Sequence, residues 1–110
     1  MLERRQFHRW NFCIPCSFSW NERTIRARVS NLSYGGLCIS GANLIPPEGA
    51  DISVTLQLSA DYQCTLTAHV VHAVSEAYEQ GAFGVEFDTP MEERTTKLIP
   101  IVDQLFEEDP

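Results

Sequence analysis

The sequence predicts an all-β fold: a small six-stranded antiparallel β-barrel with a flexible N-terminal arm and one C-terminal α-helix. Three observations carry it. Apolar and polar residues alternate with period two through most of the chain, turn-forming residues return at intervals of about eight to twelve, and after Pro90 the apolar spacing changes to three and four. With 110 residues, 44% of them apolar, the chain suits one hydrophobic core. It divides into an arm, residues 1–11, and a barrel with its helix, residues 12–110, within one domain.

The first strand falls at about 12–20, where Phe12, Ile14, Cys16, Phe18 and Trp20 share one face. Asn21 and Glu22 then form a hairpin turn without the glycine such turns favour. In the second strand, at about 23–31, Ile25, Ala27 and Val29 alternate with Arg26, Arg28 and Ser30, and a short third strand follows at 36–40. Pro46-Pro47-Glu48-Gly49 breaks the chain before the fourth, at about 51–58, in which Ile52, Val54, Leu56 and Leu58 face inward. Ser59-Ala60-Asp61-Tyr62 turns into the fifth, at about 63–75, alternating through Leu66, Ala68, Val70, His72 and Val74; the sixth lies at about 82–88. Trp10 and Trp20 read as fillers of the barrel core or rim.

Beyond Pro90, Leu98, Ile101, Val102, Leu105 and Phe106 mark one face of a helix. Asp88 or Thr89 is the expected cap, and Glu92 and Glu93 suit the positive end of the helix dipole. Pro100 lies inside this pattern and costs about 3 kcal/mol in a helix interior, which predicts a kink or a late start. The apolar helix face is expected to pack on its own barrel, with a second copy of the chain as the alternative occupant.

Charge narrows the function. The formal charge is -7 with an isoelectric point near 4.8, which opposes wrapping of a nucleic acid polymer. Residues 1–28 nevertheless hold six of the eight basic side chains (Arg4, Arg5, Arg9, Arg23, Arg26, Arg28) against Glu3 and Glu22, a local balance of +4, leaving two basic and thirteen acidic residues, -11, for the rest. A single-stranded RNA-binding barrel would need aromatic platforms in a basic groove, and that balance opposes it. No apolar run reaches the 18 to 20 residues that span a bilayer, so no membrane insertion is expected. Cys13, Cys16, Cys38 and Cys64 read as small, largely buried thiols in a reducing compartment, the cytoplasm. Cys13-x-x-Cys16 and His69-x-x-His72 have the look of metal ligands, but a three-residue offset on a strand sends side chains to opposite faces, so no metal site is expected. No nucleophile, paired carboxylates or phosphate loop points to an enzyme.

Two motifs remain. Arg5-Gln6-Phe7-His8-Arg9 is an RxxxR spacing preceded by Arg4; its guanidiniums can fork onto phosphate oxygens, pair with guanine O6 and N7, and stack on a base. Alone, it also describes a solvated basic arm, with His8 merely exposed. Asn31-Leu32-Ser33-Tyr34-Gly35-Gly36 offers two short polar side chains and two glycines, which permit positive φ and close approach of a bound group to open amides, or simply make an ordinary turn.

The pair, RxxxR before the first strand and Asn-x-Ser-x-x-Gly after the second, resembles the PilZ domain family. Gly36-Leu37-Cys38-Ile39 is similar to that family's Gly-Gly-Leu strand, and Gly81-Ala82-Phe83-Gly84-Val85-Glu86-Phe87 to its late Gly-x-x-Gly-apolar-x-Phe strand. The resemblance implies a bacterial, non-enzymatic receptor for the second messenger cyclic di-GMP, with no other cofactor, that alters its arm and surface to regulate a protein partner. It assigns Arg5 and Arg9 to guanine and phosphate, Asn31 and Ser33 to the ligand-facing polar pair, and Gly35, Gly36 and Gly84 to the adjoining backbone. Asn31 replaces the commoner aspartate, and an uncharged acceptor makes a weaker contact. Arg4 implies uptake of an intercalated ligand dimer. The alternative is an interaction adaptor of the same fold that binds no nucleotide.

Overall fold

A computed structural model describes the backbone of residues 10–74 and 82–108 and the side chains of 14–71 and 82–103. Six strands, β1 (Trp10–Trp20), β2 (Arg23–Leu32), β3 (Gly36–Ser40), β4 (Asp51–Gln57), β5 (Gln63–Val74) and β6 (Ala82–Phe87), precede one helix, α1 (Met91–Glu108). Every neighbouring pair is antiparallel, and the order β1-β2-β3-β6-β5-β4 closes on itself through pairs such as Phe18 with Val54. The expected barrel is therefore present, each strand within two residues of its predicted limits.

Alternation fills the interior. Phe18, Val29, Ile39, Val54, Leu66 and Phe83 are almost fully buried, and the Phe18 and Phe83 rings meet edge to face at 5.3 Å. Trp20 packs against this core. Asn21 and Glu22 form the expected hairpin turn, both with left-handed backbone (φ 55 and 64).

Strict alternation fails at three register shifts, each an extra residue that composition does not mark. In β1 the shift lies between Asn11 and Ile14, in β2 between Val29 and Asn31, and in β5 between Val70 and His72. Continued period two would put Asn31 in the core. The β2 bulge instead buries Val29 and Leu32, leaving Ser30 and Asn31 half-buried opposite Cys38.

The helix starts where the sequence predicts, with Glu92 and Glu93 in its first turn, but not with the expected cap. It begins at Met91, with the first amide bond from Arg94 N–H to Pro90 O (2.9 Å). Neither Asp88 nor Thr89 supplies the cap, because Asp88 is engaged with His69 (2.8 Å) and Thr89 Oγ1 accepts from the Thr67 amide (2.9 Å). Nor does it start late, since Pro100 lies within it. Pro100 has no amide to give Thr96 O, and the next carbonyl along, Lys97 O, accepts from the Tyr62 hydroxyl (2.6 Å). Leu98 and Ile101 are fully buried in the barrel's core cluster, each contributing about 2 kcal/mol, enough to outweigh the proline. The described part of the helix thus packs on its own barrel; Leu105 and Phe106 have side chains outside the described set. No described helix is long and apolar enough to cross a membrane.

Candidate functional site

β2 delivers Asn31 to the barrel surface, and residues 33–36 turn the chain into β3. Ser33 builds that turn. Its amide donates to Gly36 O (2.8 Å), and its hydroxyl oxygen lies 3.1 Å from the Gly35 amide and 3.3 Å from the Gly36 amide, accepting from both. The side chain is buried accordingly. The two glycine amides expected to stand open are thus directed inward onto Ser33. The remaining carbonyls are also held: Gly35 O accepts from the Phe87 amide (2.9 Å), and Tyr34 O from Arg94 Nη1 (3.0 Å).

The glycines serve a different purpose from the one expected. Among described residues the positive-φ glycines are Gly41 and Gly49, so the turn does not use left-handed freedom at Gly36. A Cβ on Gly36 would instead collide with Val85 O and stand 3.1 Å from Glu86 Cα, because β3 and β6 meet there with no room between them. Gly84 pairs with Cys38, which pairs with Asn31, so Asn31, Cys38 and Gly84 form one half-buried strip across three strands.

The pairing of β1 with β2 sets the first residues after the RxxxR motif opposite the end of β2. Trp10 lies opposite Leu32 and Asn11 opposite Asn31, so the chain emerging from the arm meets the barrel beside the turn. Arg4, Arg5 and Arg9 lie outside the described residues, as do His8 and the side chain of Trp10. Arg26 and Arg28 are exposed on the outer face of β2, the Arg28 guanidinium lying over Gly41.

Sequence reasoning missed Arg94. From the first turns of α1 its guanidinium donates to Thr89 O from Nε (2.9 Å) and Nη2 (2.7 Å), to Phe87 O from Nη2 (3.1 Å) and to Tyr34 O from Nη1, with its carbon 5.8 Å from the Phe87 ring centre. Its neighbours Glu92 and Glu93 make it look like one more solvated helix charge, and nothing local marks a partner 60 residues away in the chain. Burial, then the Asp103 carboxylate, raise the Tyr34 phenol above its ordinary pKa.

Of the candidate metal ligands, the side chains of Cys13 and His72 lie outside the described set. Cys16 and Cys64 are buried and Cys38 is half-buried; His69 is flanked by Asp88 and by Glu86 (3.4 Å). Among the described residues no three His, Cys, Asp or Glu gather as a metal would require. A groove of about 390 Å³ runs past Trp20, Glu22, Asp51, Ser53 and Asp88. Its described lining holds carboxylates and no cation, which disfavours a phosphate.

No protein of curated function matches the chain significantly. Solved structures share its fold. The inhibitor of motility MotI/DgrA from Bacillus subtilis superposes with a TM-score of 0.77 at 18% identity, over 99% of this chain and 55% of that one, so this chain spans about half its length. The PilZ domain of YcgR from Escherichia coli, solved with c-di-GMP, gives 0.70 at 16% identity, over 96% of both chains. MrkH from K. pneumonia, solved as its c-di-GMP complex, gives 0.72 at 13%, over 97% of this chain and 55% of that one. At these identities the likeness is one of fold, but the PilZ domain pattern itself matches residues 3–105: the chain belongs to the PilZ domain family.

Proposed function

We propose that this chain is a non-enzymatic receptor for cyclic di-GMP, acting in the cytoplasm on a protein partner. One observation supports the reading above all: the register of β1 on β2 sets Trp10 and Asn11, which follow directly on the RxxxR motif, opposite Leu32 and Asn31, within reach of a ligand that both motifs could address. YcgR and MrkH, which share the fold, were solved with c-di-GMP. Arg5 and Arg9 contact phosphate and guanine, and Arg4 adds a third cation for an intercalated ligand pair. Asn31 contacts a guanine edge from the barrel, along the strip that includes Gly84. Ser33 and Gly36 act through the shape of the turn.

Four charge-assisted bonds at about 1.5 to 3 kcal/mol each span the roughly 8 kcal/mol of a micromolar complex, and toward the upper end of that range they also offset the cost of ordering the arm. Titration calorimetry with cyclic di-GMP tests this. Wild type should bind at or below tens of micromolar, and Arg5→Ala and Arg9→Ala should each weaken binding about tenfold or more. No heat from wild type leaves the nucleotide-free adaptor as the reading, equal binding by both variants removes the site assignment, and a stoichiometry of one ligand removes the role given to Arg4.

A further inference from the structure

We propose that Arg94 is a positioning residue for the ligand turn: from helix α1 it fixes the shape of residues 33–36, on which Asn31 and its neighbours depend for their placement. The functional half of this rests on the cyclic di-GMP reading; the structural half does not.

Within the turn, Ser33 secures the amides of Gly35 and Gly36 and is bonded to Gly36 O. That leaves the two middle carbonyls to be fixed from outside. The end of β6 takes Gly35 O through the Phe87 amide, and Arg94 takes Tyr34 O. The same guanidinium grips Phe87 O and Thr89 O, so it ties the turn to the β6 residue that holds the neighbouring carbonyl. Only a planar fork with donors on three nitrogens can span these three carbonyls at once; a lysine ammonium, a point charge on a flexible stem, cannot. The four bonds draw on a charged donor against neutral acceptors, each stronger than an amide bond. The helix carrying Arg94 is itself seated by Leu98, Ile101 and the Tyr62 bond to Lys97 O. The turn is thereby referred to a rigid element and arrives in shape before a ligand does, which removes an ordering cost from binding.

The test uses the full chain with Arg94→Gln and Arg94→Lys. In ligand-free protein, amide hydrogen exchange at Ser33, Gly35, Gly36 and Phe87 should rise about tenfold in both variants, the effect of one charge-assisted bond, with Val54 and Leu66 unchanged. Exchange that rises uniformly, or not at all at the turn, overturns the proposal; if Arg94→Gln does not fold, Arg94→Lys is decisive alone. In calorimetry both variants should weaken cyclic di-GMP binding about tenfold at unchanged stoichiometry. A purely structural residue would lower the competent fraction and leave the affinity of the remainder intact, which overturns the functional half. Absence of binding by wild type ends the receptor reading instead, and the exchange result then decides the structural half by itself.

Discussion

The two ends of β2 are turned by opposite means. At its start, Asn21 and Glu22 reverse the chain by backbone conformation alone, two non-glycine residues at φ 55 and 64. At its finish, residues 33–36 reverse it with a lattice of hydrogen bonds from Ser33, Phe87 and Arg94. The first turn borders the acidic groove; the second adjoins the root of the arginine arm. The hairpin rests on a left-handed pair, the geometry that two-residue hairpin turns favour, here without the usual glycine. The turn beside the candidate site is specified from three separate parts of the chain.

Substitutions can break that contrast. The largest effect is expected from Gly36→Ala, where the new methyl group must displace β6 backbone: overpacking of this kind costs about 3 kcal/mol, read as a lowered urea midpoint. Wild-type stability in that variant would mean that the turn has slack and the contrast is false. A smaller effect of opposite sign is expected at the hairpin. Glu22→Gly relieves a left-handed residue worth about 1 kcal/mol and should raise the urea midpoint while leaving the cyclic di-GMP titration unchanged; a lowered midpoint would show that the Glu22 side chain offsets its own strain.

The smallest expected effect concerns the helix that braces the second turn. Burial raises the Cys64 thiol above its ordinary 9.0, with the Tyr62 hydroxyl and the Lys97 ammonium pulling the other way. Above pH 9 the unfolded chain therefore gives up this proton while the folded chain keeps it. The associated stability is complete below pH 9 and declines as pH rises through the folded value. Urea midpoints measured upward from pH 8 should fall, and Cys64→Ala should flatten the earliest part of the fall. An identical slope in the variant would assign the decline to other groups, Tyr34 and Tyr62 among them.

Much of the fold was legible in the sequence because alternation, punctuation and helical spacing are local properties. β4 shows this at its clearest, with Ile52, Val54 and Leu56 buried in turn. The three bulges were not legible, since one extra residue leaves hydrophobic content intact while inverting the parity of all that follows; Leu32 rather than Asn31 turns inward for this reason. The helix start was legible but its cap was not, because Asp88 and Thr89, good capping residues in isolation, are committed to His69 and Thr67 across the sheet. At the candidate site the motif residues could be named in advance. Which of them face a ligand and which hold the turn could not, because Ser33 and Gly36 are decided by Gly35, Val85 and Glu86 in three dimensions.

The pairing of Trp10 with Leu32 and of Asn11 with Asn31 also sets a tether length. Arg9 is one peptide bond from Trp10 and Arg5 five residues from it, so at about 3.5 Å per residue even a fully extended chain keeps Arg5 within roughly 18 Å of that anchor. Short tethers hold their ends at effective concentrations on the order of millimolar, and the closure entropy they forfeit grows only with the logarithm of their length. A ligand resting on the turn would meet its arginines as if in a millimolar solution of them, whatever the dilution of the protein.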